Sequence, residues 1–325
     1  MKVARLHAAA DLRLHDETDP RPATGEELVR VTAVGLCGSD RHWFLEGSIG
    51  DSLLTRPLVL GHEIAGVIET GPRAGERVAI DPAIPCERCE LCAAGDGHLC
   101  RDVRFAGHGT TDGGLRTLMA WPGRLLQPLP GGIGDDEGAL MEPLGVALHA
   151  ADLGKVTRGM RVGVFGCGPI GLLLIQILRG LGANAIAATD PVPERLAAAL
   201  QMGATRPDAP FADLALDVAF EAAGEDASVE DVVAAVRPGG RVVLVGIPSS
   251  DSTSFRASTA RHKGLTLLLS RRMRASDLPR AIDLTARGDI DVRSLVSTRV
   301  PLEAAAAAFD RLVRREGLKS IITPS

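Results

Sequence analysis

The sequence predicts an α/β protein with a β-rich domain and a second domain built on a doubly wound parallel sheet. Its 325 residues exceed what one ordinary core holds, so two domains are expected. The first part contains short β-like runs at 27–36, 65–71 and 77–81, punctuated by Gly and Pro. From about residue 155, nearly apolar strands alternate with helices, which indicates a parallel sheet covered on both faces.

The hydrophobic pattern divides the second domain into elements. A buried strand at 160–166 runs into a helix with Pro169 in its first turn and Gly182 beyond its end. Further strands are predicted at 185–190, 215–224, 240–248 and 264–270, with helices at 193–204 and near 228–236. After residue 271 the chain becomes charged and helical, and it ends on a strand-like segment at 318–324.

Composition and charge exclude several classes of partner. Hydrophobic residues make up 45% of the chain, charged residues 24%, and the formal net charge is −5. These values describe a soluble globular protein with no electrostatic reason to bind nucleic acid or an anionic membrane. Arg5, His7 and Asp11 interrupt the N-terminal apolar residues, so we expect no signal peptide and a cytoplasmic location. The uncharged run 162–178 contains Pro169 and three motif glycines, which favours a strand–turn–helix over a membrane span.

Four of the six cysteines follow the spacing C-x2-C-x2-C-x7-C, at Cys86, Cys89, Cys92 and Cys100. Four thiolates at this spacing can surround one tetrahedral zinc ion and leave no position for substrate. An iron–sulfur site usually has a different fourth interval, disulfides are disfavoured without a secretory signal, and a vacant cluster is the remaining alternative. Small and polar residues between the cysteines indicate a surface lobe at 85–101 whose folding energy the metal would supply.

Gly166, Gly168 and Gly171 form G-x-G-x-x-G between a predicted strand and a predicted helix. The glycines suit a tight turn, the approach of backbone to a pyrophosphate and close helix–strand packing. Asp190 follows at the end of the next strand, where a carboxylate would accept hydrogen bonds from a ribose diol and repel a 2′-phosphate. The pattern therefore predicts NAD rather than NADP; the alternative for Asp190 is an N-cap, and packing is the expected role of Cys167.

A second set of metal-ligand residue types is spread along the chain. "GLCGSDRH" holds Cys37, Ser39, Asp40 and His42, "GHEIAGVIE" adds His62 and Glu63, and "ALMEPLGVALH" adds Glu142. One thiolate, one imidazole and one or two carboxylates make a zinc site with a position open to water or an alcohol.

In combination these motifs resemble the zinc-dependent medium-chain dehydrogenases, and within them the sorbitol (polyol) dehydrogenases. The resemblance covers essentially the whole chain and also rests on "GALMEPLGVALHA" and "GCGPIGLLLIQ". It implies a GroES-like catalytic domain formed by 1–144 and 272–325 and an NAD-binding Rossmann domain at 145–271. The segment 206–215 is shorter than the family's, so we expect this Rossmann domain to lack a peripheral helix.

The resemblance also implies roles in catalysis. Cys37, His62 and Glu63 would hold a catalytic zinc ion, with Glu142 binding the zinc or its water. Ser39 would accept the alcohol proton, which would pass through the nicotinamide ribose to His42. Asp40 would hydrogen-bond His62 and fix its tautomer. With the lobe, this implies two zinc ions per chain.

Other residues are assigned to the cofactor or the substrate. The predicted cofactor-binding set is Gly166, Gly168, Pro169, Ile170, Gly171, Asp190, Arg195, Val245, Gly246, Arg271 and Lys319. Arg271 and Lys319 are expected to neutralise the cofactor's pyrophosphate or to contact the substrate, and surface charge is the alternative. Trp43, Phe44 and Phe105 are expected either to line a substrate pocket or to pack in the core.

The predicted function is oxidation of a secondary alcohol of a polyol, sugar or cyclitol to a ketone, with NAD as hydride acceptor. An aminocyclitol dehydrogenase and an L-threonine 3-dehydrogenase are alternatives. A non-catalytic zinc- and NAD-binding sensor is a third, although it would not need the proton relay. The expected partners are a small alcohol substrate and further copies of the chain, as a homodimer or homotetramer.

Overall fold

The computed structural model describes residues 1–207, 209–248 and 252–324. The chain divides into two compact units, Met1–Gly145 with Arg274–Ser325 as unit 1 and Val146–Met273 as unit 2. The boundaries predicted from the sequence lie after residues 144 and 271. In the part of the chain that is described, no helix is long and apolar enough to cross a membrane.

The N-terminal part of unit 1 is mostly β-strand. Its strands are β1 (Lys2–Ala8), β2 (Asp11–Asp16), β3 (Glu26–Gly35), β4 (Ser48–Ile49), β5 (Ser52–Leu53), β6 (Leu58–Val59), β7 (Glu63–Ile68), β8 (Arg77–Ile80), β9 (Ala83–Ile84), β10 (Arg104–Phe105), β11 (Leu118–Pro122) and β12 (Leu126–Pro128). Its helices are α1 (Gly38–Glu46), α2 (Glu90–Ala93), α3 (Asp135–Ala139) and α4 (Met141–Gly154), the last of which continues into unit 2.

Unit 2 alternates strands with helices, as predicted. Its strands are β13 (Arg161–Phe165), β14 (Ala185–Thr189), β15 (Leu216–Glu221), β16 (Val236–Leu244) and β17 (Thr266–Leu269). Its helices are α5 (Pro169–Gly180), α6 (Pro193–Gln201), α7 (Asp226–Ala235) and α8 (Ala257–Lys263). The chain then returns to unit 1 and adds α9 (Asp277–Ala286), β18 (Val296–Pro301), α10 (Ala305–Val313) and β19 (Lys319–Thr323).

The main sheet of unit 1 has the strand order β12-β8-β7-β3-β19-β18, with β11 also pairing with β3. The last strand of the chain, β19, pairs antiparallel with the end of β3. Both faces of β3 are covered in its second half, and Val29, Val31 and Val34 belong to one core that also contains Trp43 and Phe309. The two ends of the chain are therefore joined in one fold.

The sheet of unit 2 has the order β14-β13-β15-β16-β17, and every pair is parallel. This order places the glycine loop after β13, which has β14 on one side and β15 on the other. Between α6 and β15, the described residues hold a short 3-10 helix at Phe211–Asp213 and a single bridge between Ala187 and Thr205. This agrees with the expectation that a peripheral helix is missing from this segment.

Candidate active site

Sheet pairing brings together three predicted metal ligands in unit 1. Cys37 follows β3, whereas His62 and Glu63 stand at the start of β7. Because β3 and β7 are antiparallel and Gly35 pairs with Glu63, the end of one strand lies beside the start of the other. One ligand atom each from Cys37, His62 and Glu63 lie within 4.8 Å of one another.

Asp40 connects the segments that carry Cys37 and His62. Its Oδ2 accepts a hydrogen bond from the backbone N–H of Cys37 at 2.9 Å, which forms part of a capping box at the start of α1. Its Oδ1 lies 3.5 Å from Nδ1 of His62 and accepts a bond from the Gly61 N–H at 3.3 Å. With Nδ1 facing Asp40, His62 presents Nε2 to Cys37 and Ser39, whose Oγ lies 3.5 Å from that nitrogen.

The charges of Asp40 and His62 depend on each other. Burial alone would raise the pKa of Asp40, but His62 and two backbone N–H groups hold it below its usual value. Burial opposes a charged His62, yet Asp40 raises its pKa well above the ordinary value. A carboxylate on Nδ1 also makes an imidazole a better metal ligand through Nε2.

Glu63 is held from the other side by Lys319. The ammonium Nζ lies 2.7 and 2.8 Å from the two carboxylate oxygens and 2.9 Å from the Leu36 carbonyl. Both side chains are almost fully buried, so the pair has no water to replace either partner. Gly35 is required beside it, because a Cβ there would lie 2.0 Å from Oε2 of Glu63.

The observed contacts of Lys319, which is predicted to bind the cofactor or the substrate, lie within unit 1. All three ammonium donors are used inside unit 1, by Glu63 and Leu36. Surface charge, the alternative, is wrong, since only 3% of the residue is exposed. Lys319 contacts Glu63, which is a candidate metal ligand, and its role in binding stays a prediction.

The three side chains fit a zinc ion. With zinc bonds of about 2.0–2.3 Å, tetrahedral ligand atoms lie about 3.3–3.8 Å apart, within the observed limit. The donor set of one sulfur, one nitrogen and one oxygen is typical of zinc sites that keep a fourth position for water or substrate. Glu63 can accept from Lys319 and still offer a lone pair to a metal, because a carboxylate has about four acceptor sites.

Glu142, at the start of α4, is buried close to this group but is not one of its three members. Burial, together with the nearby Glu63, raises the pKa of Glu142 to about 7, against the lowering effect of His62 and Lys319. A carboxyl group with this pKa can hold or release a proton near neutral pH.

Helix α1 carries the predicted relay residues. Ser39 and His42 lie three residues apart, and His42 is buried, so a solvated surface histidine is excluded. Its Nδ1 lies 3.0 Å from Oε1 of Glu46, which is partly exposed at the end of the helix. Glu46 was missed in the sequence, although its i,i+4 spacing from His42 on a helix was a usable signal.

The three aromatic side chains have different surroundings. The ring of Phe44 stacks on Phe309 with centroids 4.9 Å apart, which makes it a core residue. Trp43 is also in the core and meets His108 edge-on at 5.4 Å. Phe105 lies 5.4 Å from the ring of His62, so of the three it is the one that packs on a candidate metal ligand.

The four cysteines of the lobe converge on one point. Their sulfur atoms lie within 4.8 Å of one another, with Sγ–Sγ distances of 3.5 Å for Cys89–Cys92, 3.9 Å for Cys89–Cys100 and 4.0 Å for Cys86–Cys92. Zinc–sulfur bonds of about 2.3 Å in a tetrahedron require about 3.8 Å. Backbone N–H groups lower the pKa of Cys86, whereas burial raises that of Cys92. Four thiolates this close need a cation to ionise together.

The three glycines of the loop in unit 2 have different surroundings and different structural roles. Gly166 has φ +97° and a Cβ there would lie 2.6 Å from the Ala223 nitrogen, so the turn requires glycine. At Gly171 a Cβ would lie 1.9 Å from the Gly166 carbonyl oxygen, which explains the close helix–strand packing. Gly168, the N-cap of α5, has only the Arg195 guanidinium nearby, at 3.9 Å, and Pro169 and Ile170 begin the helix.

The side chain of Asp190 holds the glycine loop by accepting hydrogen bonds from backbone N–H groups. Oδ2 accepts from the Cys167 N–H and Oδ1 from the Val192 N–H, both at 2.7 Å. Asp190 is not the N-cap of α6, because that position is taken by Val192, whose N–H donates to Asp190. Three further residues of the predicted cofactor-binding set lie elsewhere in unit 2. The N–H groups of Val245 and Gly246 both donate to the Glu221 carbonyl at the end of β15. Arg271 is exposed.

Comparisons with known proteins identify the family. Residues 23–131 match the Alcohol dehydrogenase GroES-like domain and residues 169–287 match Zinc-binding dehydrogenase. Sorbitol dehydrogenase of Bacillus subtilis is 32% identical over 100% of this chain and 98% of its own length. The chain belongs to the zinc-binding alcohol dehydrogenase family. A probable D-xylulose reductase A of Neosartorya fischeri is 38% identical over 91% of this chain and 88% of its own.

Solved structures of this family support the fold and the cofactor class. L-idonate 5-dehydrogenase from Escherichia coli has a TM-score of 0.90 at 28% identity and covers 99% of this chain and 97% of its own. An Escherichia coli alcohol dehydrogenase complexed with NADH has a TM-score of 0.90 at 27% identity, and a Sinorhizobium meliloti zinc-binding dehydrogenase bound to NADP has 0.89 at 28%. Each of these two covers 99% of this chain and 99% of its own.

The family membership confirms the predicted α/β fold, with GroES-like and Rossmann-type domains, and the resemblance to polyol dehydrogenases. As a member of the family, the chain is an oxidoreductase that uses zinc and a nicotinamide cofactor on a small-molecule substrate. The individual residue roles stay predictions.

Proposed function

We propose that this protein oxidises a secondary alcohol of a polyol, sugar or cyclitol to a ketone and transfers the hydride to NAD. The observation that carries this is the convergence of Cys37, His62 and Glu63, a three-ligand set with room for a substrate oxygen. The substrate class is supported by relatives named for sorbitol, D-xylulose, L-idonate and 2R,3R-butanediol.

The chain's own residues would orient the alcohol and move its proton. Cys37, His62 and Glu63 would hold a zinc ion, which when bound would supply Lewis-acid chemistry that makes an alcohol more acidic. The Ser39 hydroxyl, whose Oγ lies 3.5 Å from Nε2 of His62, would accept the alcohol's hydrogen bond. His42 and Glu46, bonded at 3.0 Å, would carry the proton along α1 to the exposed end of the Glu46 side chain. Glu142 would bind the zinc or its water.

A preference for NAD over NADP is the finer part of the proposal. Both oxygens of Asp190 already accept backbone hydrogen bonds, so its negative charge is fixed in place at the end of β14. A fixed carboxylate would repel a 2′-phosphate. Asp190→Asn removes this charge and keeps one acceptor oxygen, so the ratio of kcat/KM for NAD to that for NADP should fall at least about tenfold.

A second, structural zinc ion in the four-cysteine lobe is supported by the sulfur spacing. A homo-oligomer is supported by β17, which pairs only with β16 among the described strands and exposes 77% of Leu269. An apolar edge strand is a ready partner for another chain. Leu269→Glu should shift the mass measured by light scattering toward the monomer, whereas a monomeric wild type would overturn this part.

The decisive experiment is a screen of NADH production with polyols, inositols, aminocyclitols and L-threonine, with NADP as a parallel acceptor. We expect turnover with a polyol, sugar alcohol or inositol. Exclusive use of an aminocyclitol or of threonine would favour the corresponding alternative. Zinc-loaded protein that binds NADH but turns over no alcohol would contradict an enzyme and favour the sensor.

A further inference from the structure

Two histidines outside both cysteine-containing sites meet on the surface of unit 1. His7 on β1 and His15 on β2 bring their Nε2 atoms to 2.8 Å, with ring centroids 5.0 Å apart and an interplanar angle of 37°. Neither belongs to a motif assigned above. Two ring nitrogens in contact are either a shared hydrogen bond or two ligands aimed at one point.

The backbone beneath them is regular and well supported. β1 is the middle strand of the sheet β2-β1-β6, and its pairing with β2 runs from Lys2↔Asp16 to Leu6↔Leu12. The register is interrupted between Leu6 and Ala8, where His7 lies. Such an irregularity re-aims a side chain, and here both histidines are half-buried. The pair is therefore held before any ligand arrives.

The neighbouring acids are occupied by arginines. Asp11 accepts from Arg13 at 2.8 and 2.7 Å, and Glu17 accepts from Arg5 at 2.5 and 2.9 Å. Because both acids are already ion-paired, we take the two imidazoles as the protein ligands at this point of the hairpin, and water would complete the coordination of an ion bound there.

The nitrogen spacing discriminates between metal geometries. At metal–nitrogen distances of about 2.0–2.1 Å, ligands at 90° lie about 2.9 Å apart and tetrahedral ligands about 3.3–3.4 Å apart. The observed 2.8 Å fits the 90° angle. Square-planar and tetragonal sites with nitrogen ligands are typical of Cu²⁺ and Ni²⁺, and Cu²⁺ binds most tightly in the divalent series.

We propose that His7 and His15 chelate one divalent cation of tetragonal preference, Cu²⁺ or Ni²⁺, on the β1–β2 hairpin. The site is separate from Cys37, His62 and Glu63 and from the four-cysteine lobe. It does not depend on the proposed activity.

Nickel is the better probe for the test, because it avoids the redox chemistry of copper with thiols. Zinc-loaded full-length protein is dialysed against increasing Ni²⁺, and bound nickel and zinc are both counted. We expect one nickel ion per chain with no loss of zinc. His7→Ala and His15→Ala should each weaken nickel binding at least about tenfold, and the double variant, which keeps neither imidazole, should bind nickel more weakly than either. His262→Ala, which removes an exposed histidine of unit 2, is the control and should match wild type.

A copper spectrum gives a second readout. Electron paramagnetic resonance of wild-type protein with one equivalent of Cu²⁺ should show coupling to two nitrogens, and each single variant should lose one of them. Unchanged thermal midpoints would show that the variants fold. The proposal is overturned by no saturable nickel binding at about 1 mM, by variants that bind like wild type, or by nickel uptake matched by zinc release.

Discussion

The two cysteine-containing sites of unit 1 are built in opposite ways. The lobe takes all four sulfurs from residues 86–100, and its helix α2 has only four residues and buries none of them. Cys37, His62 and Glu63 come instead from the ends of paired strands, and Lys319 reaches them from the last strand of the chain. A local cluster can fix its own loop, whereas ligands that leave a position open must be held by groups from several elements.

The largest expected effect is the loss of activity when the candidate catalytic ligand Cys37 is replaced. Cys37→Ser removes the thiolate of the open site, so kcat/KM should fall by about four orders of magnitude, since a catalytic metal contributes several kcal/mol to the transition state. Zinc measured per chain should fall from two to one. Cys167→Ala, a cysteine outside both clusters, is the control and should keep both ions. A Cys37→Ser variant with full turnover would exclude catalysis at this site.

The second prediction tests how much the ion pair with Lys319 contributes to the stability of the protein with Glu63 buried. Lys319→Met leaves a buried carboxylate without its ion-pair partner, which should destabilise the metal-free protein by about 3–5 kcal/mol. Zinc should offset part of this loss, because it neutralises the same carboxylate. Unfolding in denaturant, with and without zinc, measures both values.

Glu63→Gln is the matched control for that pair. Combined with Lys319→Met it should recover much of the lost stability, since neither partner is then charged. If the double variant is as unstable as the sum of the single variants, the two side chains do not act as a pair.

The contrast between the sites also explains what the sequence could predict. The cysteine lobe and the glycine loop are spacing patterns within one short segment, so their residues were found without knowledge of the fold. The Glu63–Lys319 pair spans 256 residues and depends on β19 lying beside β3. No local pattern in the sequence indicates that a lysine near the chain end faces a metal ligand.

Smaller differences between the sequence prediction and the structure also have local causes. β16 begins at Val236, four residues before its predicted start, because Pro238 and Gly239 are typical of a turn, and here they distort the strand without ending it. The two backbone hydrogen bonds of Asp190, one to each carboxylate oxygen, are a further feature that was not predicted, and its role beside a ribose stays a prediction. Hydrogen bonds to backbone leave no signature in residue identity.

The third prediction concerns the relay on α1. Ser39→Ala removes the hydroxyl beside His62 but none of the metal ligands, so kcat should fall about a hundredfold while zinc content and stability stay unchanged. Ser39→Thr keeps a hydroxyl and should retain most of the activity. Loss of zinc from Ser39→Ala would mean that the serine supports the metal site instead of moving a proton.

The smallest effect on turnover is expected in the lobe, where the cysteine density is highest. Cys100 is fully buried and its sulfur accepts a hydrogen bond from the Cys86 N–H at 3.3 Å, so Cys100→Ser should release the lobe zinc and unfold 85–101 locally. Hydrogen exchange should rise in that segment alone. The kcat of the remaining folded protein should stay within about threefold of wild type, because a zinc ion closed by four sulfurs offers no position to a substrate. A loss as large as that of Cys37→Ser would mean that the lobe supports the catalytic site after all, and that the two clusters act together.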